Sequence, residues 1–109
     1  MAKHAFGIMP SAPTGGERYD EYEPEKYGCI FVDDDHIEGI RERLLVFDSF
    51  CHTVDIPMKG LNDIGITLIP PTSMDAFLAV IAVGPEYAGL RELLIKAKNS
   101  NRFVIHYGL

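Results

Sequence analysis

With 109 residues, 47% hydrophobic and 24% charged, the chain has the size and composition of one globular domain, able to form a core without staples. No apolar run approaches the roughly 20 residues of a membrane-spanning helix, and Cys29 and Cys51 lack CxxC spacing, so the expectation is a cytoplasmic protein with no membrane role and no disulfide framework. The net charge of −6 is concentrated between Glu17 and Glu38, which hold nine acids and two bases; without a basic stripe, nucleic acid is excluded as a partner.

Residues 1–27 are rich in Pro, Gly and acids, with Tyr19, Tyr22 and Tyr27 interspersed, and show no sustained period. They read as an extended acidic arm, partly ordered, in which His4 is solvated and Phe6, Ile8 and Met9 can dock as a short strand. Residues 28–109 read as a single α/β domain. Its first strand is "CIFV" (Cys29 to Val32), a short β-favouring apolar run. Ile37, Ile40, Leu44, Phe47 and Cys51 then repeat at helical spacing, with Gly39 weakening that helix by about 1 kcal/mol relative to alanine.

"FCHTVDI" (Phe50 to Ile56) alternates and predicts a second strand, with His52 beside Phe50 and Val54 as a core-facing, hydrogen-bonded imidazole. "PMKGLND" is a turn or loop and "IGITLIP" a third strand. Thr72 or Ser73 can cap a buried helix through "MDAFLAVIAV", which Gly84-Pro85 breaks. A second helical piece carries Tyr87, Leu90, Leu94 and Ala97 on one face, and "RFVIHYG" forms the last strand.

The order β-α-β-β-α-β predicts a ferredoxin-like two-layer α+β sandwich, its second helix in two pieces. Strands one and three are apolar on both faces, so the sheet needs cover on its second face. A second subunit would supply it, making the protein a homo-oligomer, or else Phe6, Ile8 and Met9 of the arm.

"IFVDDDHIEGIRERLL" (Ile30 to Leu45) resembles the opening strand and helix of a response-regulator receiver domain. The resemblance implies that Asp33 and Asp34 occupy the acidic pair that binds magnesium there, since a hard cation takes carboxylate oxygens and neutralises an incoming phosphoryl group. It ends at Leu45. No later strand ends in a phosphate-accepting aspartate, and "FVIHYGL" lacks the lysine-proline step of receivers. The plainer reading makes Asp35 a helix cap paired with Glu38.

The ferredoxin-like topology would gather Asp33, Asp34 and His36 with the Thr72-Ser73 turn, His52 and Arg102 at one end of the sheet. Such a rim suits a small-molecule ligand bearing phosphate, with Asp33 and Asp34 as ligands to magnesium or another divalent cation. Catalytic motifs are missing. There is no GxSxG elbow, no phosphate loop, and no metal-ligand spacing among His36, Cys51, His52 and His106. The expected function is therefore a non-catalytic binding, regulatory or assembly module that needs no cofactor. The alternative is a cation-dependent enzyme or binder of a phosphate-bearing molecule at the Asp33/Asp34 end.

Overall fold

A computed structural model of the chain describes residues 2–62, 64–81 and 84–108. Asp63 of the predicted turn and residues 82 and 83 of the predicted helix lie outside them. The protein is a mixed α+β domain. Its strands are β1 (Lys3–Ile8), β2 (Ile30–Asp33), β3 (Asp48–Cys51), β4 (Pro57–Lys59), β5 (Ile66–Ile69) and β6 (Val104–Tyr107). They form one sheet in the order β2-β1-β6-β5-β3-β4, with every neighbouring pair antiparallel.

This order differs from the ferredoxin-like one. In that arrangement β2 and β5 would run in the same direction; here β1 and β6 stand between them, and three antiparallel steps leave β2 and β5 opposed. The cause is the segment read as an arm. Lys3–Ile8 pairs with β2 on one side and β6 on the other, so the start of the chain lies inside the sheet.

Alternation along the strands sorts the sheet into two faces. On the first, Phe6, Val32, Ile69 and Val104 pack against Ile37, Leu44 and Phe47 and against α2 (Met74–Val80) and α3 (Ala88–Ser100). Phe47 and Phe77 stack there with centroids 4.7 Å apart. On the second face, Ala5, Ile66, Leu68, Ile105 and Tyr107 are covered by Tyr19, Tyr27 and Cys29. That cover comes from the residues 10–29 stretch together with Met9, whereas Phe6 and Ile8 point to the helical side. Gly7 makes it possible: a Cβ there would lie 2.7 Å from both Cys29 Sγ and Tyr27 Cβ.

The helix predicted after β2 forms in two short pieces, α1 (Asp34–Glu38) and a 3-10 turn over Arg41–Val46, with Gly39 between them. Its buried face is the one expected, Ile37, Ile40, Leu44 and Phe47. Asp33, not Asp35, is the cap residue, and its side chain makes no capping bond. The later helix is also interrupted: α2 ends at Val80, and a 3-10 turn at Pro85–Tyr87 leads into α3.

Candidate functional site

The most unusual chemistry lies under the sheet's first face. His4 of β1 and His106 of β6 are both fully buried, and His4 Nδ1 lies 2.8 Å from His106 Nε2. His4 Nε2 lies 2.8 Å from Asp34 Oδ1, and His106 Nδ1 lies 3.1 Å from Thr67 Oγ1 on β5. The backbone N–H of Asn62 donates to Thr67 Oγ1 at 2.9 Å. These groups meet because β1, β6 and β5 are neighbours and Thr67 is in register with His106.

The partners dictate the protons. The Asp34 carboxylate only accepts, so His4 Nε2 carries a hydrogen. Burial holds His106 well below the ordinary 6.5, assisted by repulsion from Arg41, so His106 has a single ring proton. Placing it on Nε2 satisfies the whole chain. Thr67 hydroxyl donates to His106 Nδ1, His106 Nε2–H donates to His4 Nδ1, and His4 Nε2–H donates to Asp34. No buried side-chain nitrogen or oxygen among the described residues lacks a partner. The row meets water only at Asp34, so it orients and locks three strands; no substrate can reach the imidazoles.

A second polar group stands where Lys3, Asp33, Tyr107 and Ile66 mark one end of the sheet. His52 follows β3 in the left-handed region, φ 61°. Its Nδ1–H faces two acceptors, Asp20 Oδ1 at 2.9 Å and Tyr19 O at 3.0 Å, while Nε2 accepts from the Ile66 N–H at 3.3 Å. Gly65, at φ 111°, lies under the ring, where a Cβ would come within 2.7 Å of His52 Nε2. The imidazole thus clamps the residue 17–22 stretch to the β3–β5 corner.

Beside it opens a cleft of about 550 Å³ lined by Lys3, Asp20, Tyr22, His52, Ile66 and Tyr107. Tyr22 is 66% exposed and meets Tyr107 edge-on at 5.2 Å. Burial pushes the Tyr107 phenol far above its ordinary value, so it stays protonated. Lys3 lies 3.9 Å from Asp33 at the cleft's side.

The predicted rim is divided. Asp33 and His52 share this end of the sheet, and Asp34 is adjacent but turned to the opposite face toward His4. His36 sits on α1 against Tyr87, ring centroids 5.8 Å apart, away from the cleft. Thr72 and Ser73 follow β5, and Arg102 precedes β6; both places are at the other end of the sheet. There, Ser73 hydroxyl donates to Asp48 O at 2.6 Å. A whole rim requires strands one and three to run in a common direction, and the antiparallel order opposes them.

His4 is likewise buried rather than solvated, and the row it forms with His106 and Thr67 escaped the sequence reading. Its signal was the alternation of His4, Phe6 and Ile8 against Lys3, Ala5 and Gly7. Among the described residues, no group of three or more His, Cys, Asp or Glu is arranged to hold a metal ion. Nor is any of their helices long and apolar enough to cross a membrane. No protein-family model matches the chain, and comparison with curated proteins and with solved structures finds no significant match.

Proposed function

We propose that the protein is a small-molecule-binding module whose site is the cleft at the Lys3–Asp33 end of the sheet. Tyr22 carries the proposal: a largely exposed aromatic ring, braced edge-on by the buried Tyr107, beside the Lys3 ammonium. Rigid aromatic surface next to one cation suits a planar ring bearing a phosphate or carboxylate. The ring would lie on Tyr22 and the anion would draw Lys3 from Asp33. Phenyl phosphate, with phenol as its uncharged counterpart, tests this by amide shift mapping. Phenyl phosphate should shift Lys3, Tyr22, Gly65 and Gly108 more strongly than phenol, and Tyr22→Ala and Lys3→Ala should each abolish the response without lowering stability. Shifts elsewhere, or none, refute the site.

The alternative reading, a divalent cation held by Asp33 and Asp34, requires both carboxylates to leave their present partners, Lys3 and His4. Manganese broadening confined to residues 32–36 at micromolar metal would favour it over the cleft.

Assembly into a homo-oligomer has its own support in the β2 edge. Asp34 N–H donates to Ala2 O, so Val32 and Ile30 turn their backbone groups toward β1, and Phe31 turns its N–H and C=O outward. Phe31 is also 51% exposed. Two copies pairing antiparallel at Phe31 would exchange both bonds across a two-fold axis. Light scattering should then show a dimer that Phe31→Pro converts to monomer; a monomeric wild-type protein at high concentration refutes it.

A further inference from the structure

At the opposite end of the sheet from the cleft, a groove of about 760 Å³ runs between α3 and the residue 24–30 segment. Its floor is apolar, made by Ile8, Ile30 and Leu93. Gly89, Leu93, Lys96 and Ser100 line it at helical spacing, so a single stripe of α3 faces it over roughly 16 Å at 1.5 Å per residue. Polarity is graded along that length. At the Gly89 end the helix lies on β2, with Ile30 Cδ1 at 3.6 Å from where a glycine Cβ would stand. At the Ser100 end stand Lys96 and Arg102, neither of which has a carboxylate partner among the described residues. Lys26 flanks the groove, bridged to Glu23 at 3.5 Å, and Glu92 is the acid in its lining. Cations so grouped stand out on a chain of net charge −6.

We propose that this groove binds an amphiphilic carboxylate, its hydrocarbon chain along Ile30, Leu93 and Ile8 and its anionic head between Lys96 and Arg102. The floor supplies burial for an apolar chain, and Lys96 and Arg102 supply cations without a carboxylate partner among the described residues. An acidic peptide would need free cations spaced along the whole length, whereas Lys26 is bridged to Glu23 and the α3 stripe carries no cation before Lys96. The site is separate from the Tyr22 cleft, and neither reading depends on the other.

Isothermal titration with dodecanoate, kept below micelle formation, tests the proposal on the intact protein, with dodecyltrimethylammonium as the same chain under an opposite head. Dodecanoate should bind saturably at one site, shifting the Ile8, Ile30 and Leu93 amides, and the cationic detergent should not. The exposed double variant Lys96→Glu/Arg102→Glu should weaken dodecanoate by roughly tenfold, since exposed charge pairs are individually modest. Absent or unsaturable binding, equal binding of the cationic detergent, or an affinity untouched by the double variant each overturns the proposal. So does tighter binding of an oligoglutamate peptide, or a dimer in light scattering that the double variant dissociates.

Discussion

Replacing His106 by glutamine should remove a specific part of the protein's sensitivity to acid. Burial, with repulsion from Arg41, keeps His106 well below 6.5 in the native protein, while in the unfolded chain it titrates near its ordinary value. Above that value both states leave the imidazole neutral, and stability is whole. As pH falls through 6.5, the unfolded state takes up a proton that the native state refuses, so stability declines. The slope for one such group is about 1.4 kcal/mol per pH unit, which gives about 2 kcal/mol between pH 6.5 and pH 5. Glutamine presents an N–H to His4 Nδ1 but carries no titrating group, and it deprives the Thr67 hydroxyl of its acceptor. His106→Gln should therefore be about 1–2 kcal/mol less stable than wild type at pH 7.5. That gap should close or reverse by pH 5. Urea unfolding of both proteins at pH 7.5, 6.5, 5.5 and 5.0 reads the difference, in which the carboxylates common to both cancel. Parallel stability curves would falsify the reasoning, because they would mean that native His106 takes up its proton as readily as the unfolded chain.

The end of the same row separates charge from hydrogen bonding. Asp34→Asn keeps an oxygen acceptor for His4 Nε2–H and should cost clearly less than Asp34→Ala, which leaves a buried donor unpaired at about 1–3 kcal/mol. Equal losses in urea unfolding would mean that a neutral oxygen cannot stand in for the carboxylate, so that charge rather than the hydrogen bond carries the Asp34–His4 contact. Gly65→Ala combines a φ of 111° with a contact inside 3 Å to His52 Nε2, so a loss of about 2–4 kcal/mol is expected, together with a displaced His52 ring resonance in NMR spectra. An unshifted resonance would argue that the ring is not seated on Gly65. Gly7→Ala should lift Tyr27 and Cys29 from the second sheet face at about 1–3 kcal/mol, and thiol labelling of Cys29 should speed up. Unchanged labelling would show that the cover accommodates a methyl group.

The elements that the sequence displayed best are those whose buried face carries large side chains at a clean period. Ile37, Ile40, Leu44 and Phe47 were legible at helical spacing, as were the apolar runs of β2, β5 and β6 and the division of the later helix. β1 was obscured for a physical reason. On its second face stand Ala5 and Gly7, small because Tyr27 and Cys29 lie directly on them, so the strand lacks the bulky β-favouring pattern. Without β1 between them, β2 and β6 take the wrong neighbours, and strand direction is misassigned. That one omission puts Arg102, Thr72 and Ser73 beside Asp33 and His52, from which the observed strand order separates them. The alternation from Phe50 to Ile56 misled locally, since His52 enters the left-handed region and Cys51 N–H bonds back to Ile56 O across a tight turn.

The two polar assemblies are joined by the alternation of adjacent residues. On β1, Lys3 faces the cleft and His4 faces the helices; at the end of β2, Asp33 answers Lys3, and the next residue, Asp34, answers His4. The same two-residue steps therefore hold β1 to β2 on both faces of the sheet. The buried contacts, in low dielectric and fully paired, set the position of the backbone, whereas the Lys3–Asp33 contact is exposed, long at 3.9 Å and individually weak. At the proposed site, an anion would recruit Lys3 at little cost, because the strand that presents it is fixed from behind by His4. The acidic run at the end of β2 is thus divided between two roles. One of its members anchors the buried histidine row, and its neighbour is the replaceable partner of a lysine at the candidate site.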